Sequence, residues 1–236
     1  MFATHSPVGR MLRAYRVAVA IFADRVDAGR QLAAALDAHR GSDALVLGIP
    51  RGGIVVAAEV ARALGLPLAA AVVRKLGAPA HEEYAIGAIA EGVEVVNEDA
   101  VRHGGVTPEA LARVEDIERA ELVRRSRLFA DSPLPVAGRT VIVVDDGVAT
   151  GATATAACRS LKTHGAGRIV LAVPVAPAAW QPPPDAVDEY VCPHPIRDFW
   201  AVGQFYTDFT QTTDGEVVRL LAQRSTGSAT EEHPER

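Results

Sequence analysis

The chain has 236 residues, 49% apolar and 22% charged, enough to bury a sizeable core as one compact α/β domain with additions. Its net charge of −5, from 24 basic and 29 acidic residues, argues against a dedicated duplex-DNA binder with a clustered basic face. No apolar run reaches the roughly 18 residues of a membrane span, and the start lacks the order of a signal peptide, so the expected place is the cytoplasm, away from membranes.

Residues 1–21 form an extension with no clean pattern. Asp24 is placed to cap a helix over Val26–His39, with Leu32, Ala35 and Leu36 on one face and Gly41 after its end. Asp43–Ile49 is a short apolar run bounded by polar and Gly residues, the pattern of a strand buried on both faces. A helix over Gly53–Leu64 follows, then strands at Leu68–Val73, Ala85–Ala90 and Val93–Val96, and a long helix over Pro108–Phe129. That helix sets Leu111, Val114, Ile117 and Leu128 near one stripe, suited to core or subunit contact. Strand Thr140–Val144, helix Gly151–His164 and strand Arg168–Val173 continue the alternation, which predicts a mostly parallel sheet with helices on both faces. Val187–Cys192 reads as an edge strand, Phe199, Trp200, Phe205, Tyr206 and Phe209 as an aromatic cluster, and Asp214–Gln223 as a last helix. Residues 224–236 read as a disordered tail. Cys158 and Cys192, too few for a disulfide framework, read as buried thiols.

Chemistry concentrates at Val141-Ile-Val-Val-Asp-Asp-Gly-Val-Ala-Thr-Gly-Ala-Thr153, where a buried strand ends in two carboxylates and a Gly/Thr loop runs into a helix. Ligands bind at the carboxyl ends of parallel strands. The backbone N–H groups of Gly147, Val148, Ala149, Thr150, Gly151 and Ala152, the positive end of the helix and the hydroxyls of Thr150 and Thr153 make a seat for a phosphate. Asp145 and Asp146 suit vicinal hydroxyls or the water shell of Mg²⁺. Phosphate, diol and metal together describe a ribose 5-phosphate. Other phosphate-loop patterns are absent, and His81-Glu-Glu-Tyr-Ala85 is one histidine short of a zinc motif.

These residues resemble the binding motif for 5-phosphoribosyl pyrophosphate (PRPP) of the type I phosphoribosyltransferases. The resemblance covers about residues 22–223 and implies a flavodoxin-like parallel sheet, a mobile lid loop and a small C-terminal hood over the acceptor, mainly 187–213. Gly48-Ile-Pro-Arg-Gly-Gly53 resembles the pyrophosphate loop, which makes Pro50, Gly52 and Gly53 substrate-binding positions: the glycines let backbone N–H groups approach the diphosphate and Arg51 clamps it. Val73-Arg-Lys75 resembles the strand end whose basic residue reaches the pyrophosphate. Lys75 is one of two lysines against 22 arginines, which marks it as retained for its chemistry. Trp200-Ala-Val-Gly-Gln-Phe-Tyr-Thr-Asp208 is similar, with spacing one residue different, to a hood in which an aromatic stacks on the base and an Asp holds metal. The resemblance therefore implies Trp200 as the stacking residue and Asp145, Asp146 and Asp208 around Mg²⁺, through water or PRPP. Hypoxanthine-guanine enzymes carry an Asp where this chain has Ala149 and a lysine where it has Pro174, which disfavours that specificity. The nearest likeness, through Phe22-Ala-Asp-Arg25, Arg74-Lys-Leu-Gly-Ala-Pro79 and Ala85-Ile-Gly-Ala-Ile-Ala90, is to a bacterial group of phosphoribosyltransferases of unassigned acceptor.

The implied reaction transfers ribose 5-phosphate from Mg-PRPP to a nitrogenous base or other amine, releasing pyrophosphate through a cation-like transition state. Lys75, Arg51, Asp145 and Asp146 act by position and charge. Leu76–Tyr84, with Gly77, is the candidate lid, and Glu82 or Glu83 can relay a proton. A homodimer with no nucleic-acid partner is expected. The alternatives are a PRPP or nucleotide sensor that keeps the fold without turnover, and a nucleotide phosphorylase or hydrolase using the same site.

Overall fold

The computed structural model describes residues 20–129 and 135–223. The expected extension, except its last two positions, and the expected tail lie outside the described residues.

Five short strands form the central sheet: β1 (Leu45–Gly48), β2 (Leu68–Ala70), β6 (Thr140–Val144), β7 (Arg168–Ala172) and β9 (Glu189–Val191). They run in the order β2-β1-β6-β7-β9, all parallel. The alternating side chains explain the unbroken apolar runs. Val46, Ile142, Val144 and Val170 face α1 (Arg25–Ala35), α2 (Gly52–Leu64) and α6 (Asp214–Ala222). Leu45, Leu47, Val141, Val143, Ile169 and Leu171 pack on the other face with α5 (Ala152–Thr163).

From β1 the chain passes through α2 to β2 at one edge, whereas from β6 it passes through α5 to β7 toward the other. Strand order therefore reverses between the neighbours β1 and β6. Their carboxyl ends open into a crevice, the topological switch point where α/β sheets bind ligands.

Three expectations change. Asp24 caps the first helix by accepting the Asp27 N–H at 2.8 Å, but the helix ends at Ala35 and the chain tightens into a 3-10 turn over Asp37–His39. The strand expected over Leu68–Val73 is divided. β2 ends at Ala70, the Ala71 N–H makes a last bond to Gly48 O at 2.9 Å, and Val73 opens another strand. The expected lid, Leu76–Tyr84, is not an unpaired loop: β3 (Val73–Ala78) and β4 (His81–Ala90) form an antiparallel hairpin, with β5 (Val93–Val96) beside β4. Register shifts at Gly77 absorb the irregularity that hid this strand in the sequence. Ala85–Ala90 thus belongs to an antiparallel sheet of three, apart from the parallel one.

A short helix, α3 (Glu98–His103), precedes the long helix α4 (Pro108–Phe129). Of the expected stripe, Leu111 and Val114 pack toward the hairpin, while Ile117 is 68% exposed and Leu128 is also exposed. Beyond β7, β8 (Val175–Pro177) pairs in parallel with β10 (His194–Ile196). This pair, a 3-10 turn over Val202–Phe205 and the strap Ile21–Ala23 form a small cap. β9 lies within the span expected for the hood but joins the central sheet, whereas β8, before it in the chain, belongs to the cap. Phe22, Val175, Phe205 and Tyr206 bury its core.

Candidate active site at the switch point

The two loops at the crevice are pressed together. The Ile49 N–H bonds Val144 O at 2.8 Å, joining the end of β1 to the end of β6, and the following Pro50–Arg51 peptide is cis. A Cβ on Gly52 would lie 2.0 Å from Asp146 Oδ2, and one on Gly53 would lie 2.9 Å from both Cα and Oδ1 of Asp145. Only glycine lets the start of α2 stand against the acidic pair.

Helix starts elsewhere are satisfied by side chains: Asp24 on α1, Asn97 on α3, Thr107 on α4 and Thr213 on α6. The starts of α2 and α5, at Arg51 and Gly151, have no side-chain cap. An uncapped start presents backbone N–H groups and the positive end of the helix dipole, the ingredients of an anion site. Both flank the switch point. Gly151 adopts φ +79°, and the Trp180 indole comes within 2.3 Å of where its Cβ would be. Thr150 is exposed and Thr153 half-buried beside it.

Electrostatics single out the acidic pair. Burial pushes the Asp145 carboxyl well above the ordinary carboxylate range, and the neighbouring Asp146 charge adds to this. The Asp146 N–H, donated to Asp145 Oδ1 at 2.9 Å, opposes the rise. Asp146 is also raised by burial, opposed by Arg25. Two carboxylates thus share one guanidinium, an excess of negative charge suited to a cation or to donated hydroxyls.

Arg25 is the main residue missed by motif reading. It occupies the first position of α1, fixed by the Asp24 cap, and its Nε donates to Asp146 Oδ2 at 2.7 Å. Its Nη1 donates to Thr210 O at 2.8 Å, and its Cζ lies 3.9 Å from the centre of the Phe209 ring. The Tyr206 hydroxyl donates to Asp146 O at 2.6 Å, a second link between cap and crevice. Gly147 completes the junction, since a Cβ there would meet Val202 at 2.6 Å.

Other predicted residues are more dispersed. Arg74 bonds Glu118 of α4 at 2.6 Å, and Lys75, in register with Ala88, is half-buried on β3. Pro50 and Arg51 lie half-buried at the start of α2; Val148 is buried, Ala149 exposed and Ala152 half-buried. Trp200 is 89% exposed. The Asp208 carboxylate accepts the Thr210 N–H at 2.9 Å and the Thr210 hydroxyl at 2.5 Å, which holds its pKa below the ordinary value. Among the described residues no three His, Cys, Asp or Glu side chains gather as a metal cluster, so Asp208 is not grouped with the acidic pair. Pro174, at the position of the lysine in hypoxanthine-guanine enzymes, is buried, and its carbonyl accepts the His194 N–H. The side chains of Glu82 and Glu83 lie outside the described part of the structure. Cys158 is buried, its thiol pushed up to about 12 by burial; Cys192 is only half-buried. Among the described residues no helix is long and apolar enough to cross a membrane.

Comparison with known proteins bears on this arrangement. Residues 19–210 match the phosphoribosyl transferase domain model. Two Mycobacterium tuberculosis proteins that carry the provisional name phosphoribosyl transferase are 48% identical over 211 residues, 85% of this chain and 46% of theirs. The chain thus spans about half the length of these curated relatives. The crystal structure of TT1426 from Thermus thermophilus is 40% identical, covering 86% of this chain and 98% of that one, with a TM-score of 0.66. With the family match running from the strap before α1 through the switch point to the end of the cap, the chain belongs to the phosphoribosyl transferase domain family.

Proposed function

We propose that this chain transfers ribose 5-phosphate from Mg-PRPP to a nitrogenous base or other amine, releasing pyrophosphate. The observation that carries the reading is the acidic pair, its pKa values raised by burial, set between two uncapped helix starts at the switch point. One start takes the 5′-phosphate, the other the pyrophosphate, and the carboxylates between them take the ribose hydroxyls.

The start of α5, with Thr150 and Thr153, holds the 5′-phosphate and so fixes the ribose ring. Asp145 and Asp146 accept the ring hydroxyls near the positive charge that develops as the bond from C1 to the pyrophosphate oxygen breaks. Arg51, the N–H groups of Gly52 and Gly53, and Lys75 receive the negative charge growing on the leaving group. The acceptor nitrogen adds to C1 from the opposite face and loses its proton. Mg²⁺ fits the donor set, because the acidic pair has one guanidinium as counter-charge and oxygen ligands suit this ion; when bound, it would neutralise pyrophosphate oxygens. Thr210 engages one oxygen of Asp208, and the contact of Asp208 with that ion is taken to run through water or PRPP. Ala149 and Pro174 support an acceptor other than hypoxanthine or guanine. The test is Mg²⁺-dependent release of pyrophosphate from PRPP across a panel of bases and amines. Release with one acceptor class supports transfer; PRPP binding with no release from any acceptor favours a sensor instead.

A further inference from the structure

Between the crevice and the cap lies one side chain that the phosphate motifs do not include. We propose, resting on the ribose seat described above, that Arg25 is a positioning residue whose guanidinium holds both Asp146 and the cap segment Thr207–Thr210, so that filling the ribose seat fixes the wall against which the acceptor binds.

The geometry is a three-way clamp. The side chain is only 11% exposed, pairs through Nε with Asp146 at the end of β6, donates through Nη1 to the Thr210 carbonyl, and lies over the Phe209 ring. A planar guanidinium can do all three at once because its donors point in fixed directions while its face stacks; an ammonium cannot. Its backbone is tied to the same segment. Ile21 and Phe22 donate to Phe205 O, Thr207 donates to Phe22 O, and Asp208 donates to Ala23 O, so strap and cap move as one piece. Of the two side-chain links from that piece to Asp146, Tyr206 reaches the main-chain carbonyl and Arg25 the carboxylate. Only the second touches the group that meets the ligand. A ribose hydroxyl or cation that fixes the Asp146 carboxylate therefore fixes Arg25, and through it Phe209 and Thr210. In this arrangement the donor seat and the cap segment share a support, so occupancy of one is coupled to order in the other.

Hydrogen exchange read by mass spectrometry on the full chain, with ribose 5-phosphate as the probe, tests the coupling. In the parent, the probe should slow amide exchange in 205–210 as well as in 145–153. Arg25→Lys should keep probe affinity within about threefold and yet reduce the ligand-induced protection of 205–210 by about tenfold, because charge at Asp146 survives and the stack does not. Arg25→Gln should lose about tenfold in affinity as well, the loss of one charge-assisted hydrogen bond. A merely structural role would loosen the cap equally with and without probe. Protection confined to 145–153 in the parent, or full ligand-induced protection in Arg25→Lys, overturns the proposal; both readings stand even if Arg25→Gln fails to fold. If the parent does not bind the probe, the ribose seat itself is wrong. The ligand-free comparison then judges the clamp: exchange in 205–210 no faster in Arg25→Lys than in the parent overturns it.

Discussion

The two helix starts that face the crevice are uncapped alike but furnished differently. The start of α5 rests on a left-handed glycine, Gly151, backed by the Trp180 ring and flanked by hydroxyls. The start of α2 is pressed by two glycines against a pair of carboxylates. The first offers donors with little opposing charge, which suits a lone phosphate dianion. At the second, an anion meets negative charge close by and needs a cation between them. The difference teaches that one fold device, the open helix start, can suit an anion alone or an anion with a cation according to the side chains beside it.

The largest effect should come from breaking the α5 seat. Gly151→Val puts a branched side chain at positive φ and into the Trp180 ring, so calorimetry should find no binding of ribose 5-phosphate, a loss of at least about a hundredfold. Retained binding would take the loop out of the site. For the proposed leaving-group contact of Lys75 on β3, Lys75→Arg should lower turnover by about one to three orders of magnitude while PRPP affinity stays within about fivefold, since the added charge on the leaving group grows only in the transition state. Equal losses in both would make Lys75 a ground-state contact. Asp146→Asn should weaken Mg-PRPP by about ten- to a hundredfold, and ribose 5-phosphate in the absence of metal by about tenfold, the worth of the hydroxyl contact alone. Identical losses for the two ligands would erase the contrast between the seats.

The smallest effect concerns stability. A carboxyl whose pKa is raised by burial is an acid that folding prefers to keep protonated. Between its unfolded and folded pKa the native state binds more protons, so stability falls as pH rises through that window and stays low above it. Asp145→Asn should therefore melt a few degrees higher than the parent at pH 7, with the gain shrinking as pH falls below the raised pKa. A scan in which the variant melts lower at pH 7 would show that the acidic pair is not a strained element of the fold.

How legible these features were follows from how local their signals are. β1 and β6 read directly because strands buried on both faces are continuous apolar runs, and the glycines and carboxylates that end them are adjacent in sequence. The hairpin was obscured: Leu76-Gly-Ala-Pro-Ala80 has neither clean alternation nor a run, and its pairing is imposed by β4 and α4. Arg25 has no local signal of a role, because its partner Asp146 is 121 residues away. Trp180 likewise acquires its place against Gly151 only through the turn after β8.

That placement of Trp180 carries a practical consequence. The chain has two tryptophans, one half-buried against Gly151 of the proposed phosphate seat and the other almost fully in solvent. Their fluorescence should divide into a blue-shifted component sensitive to occupancy of the seat and a red-shifted one open to iodide quenching. With the proposed seat beside Trp180, the two indoles should serve as an unlabelled optical reporter and an internal reference, so that a titration with ribose 5-phosphate tests the seat before any acceptor is known.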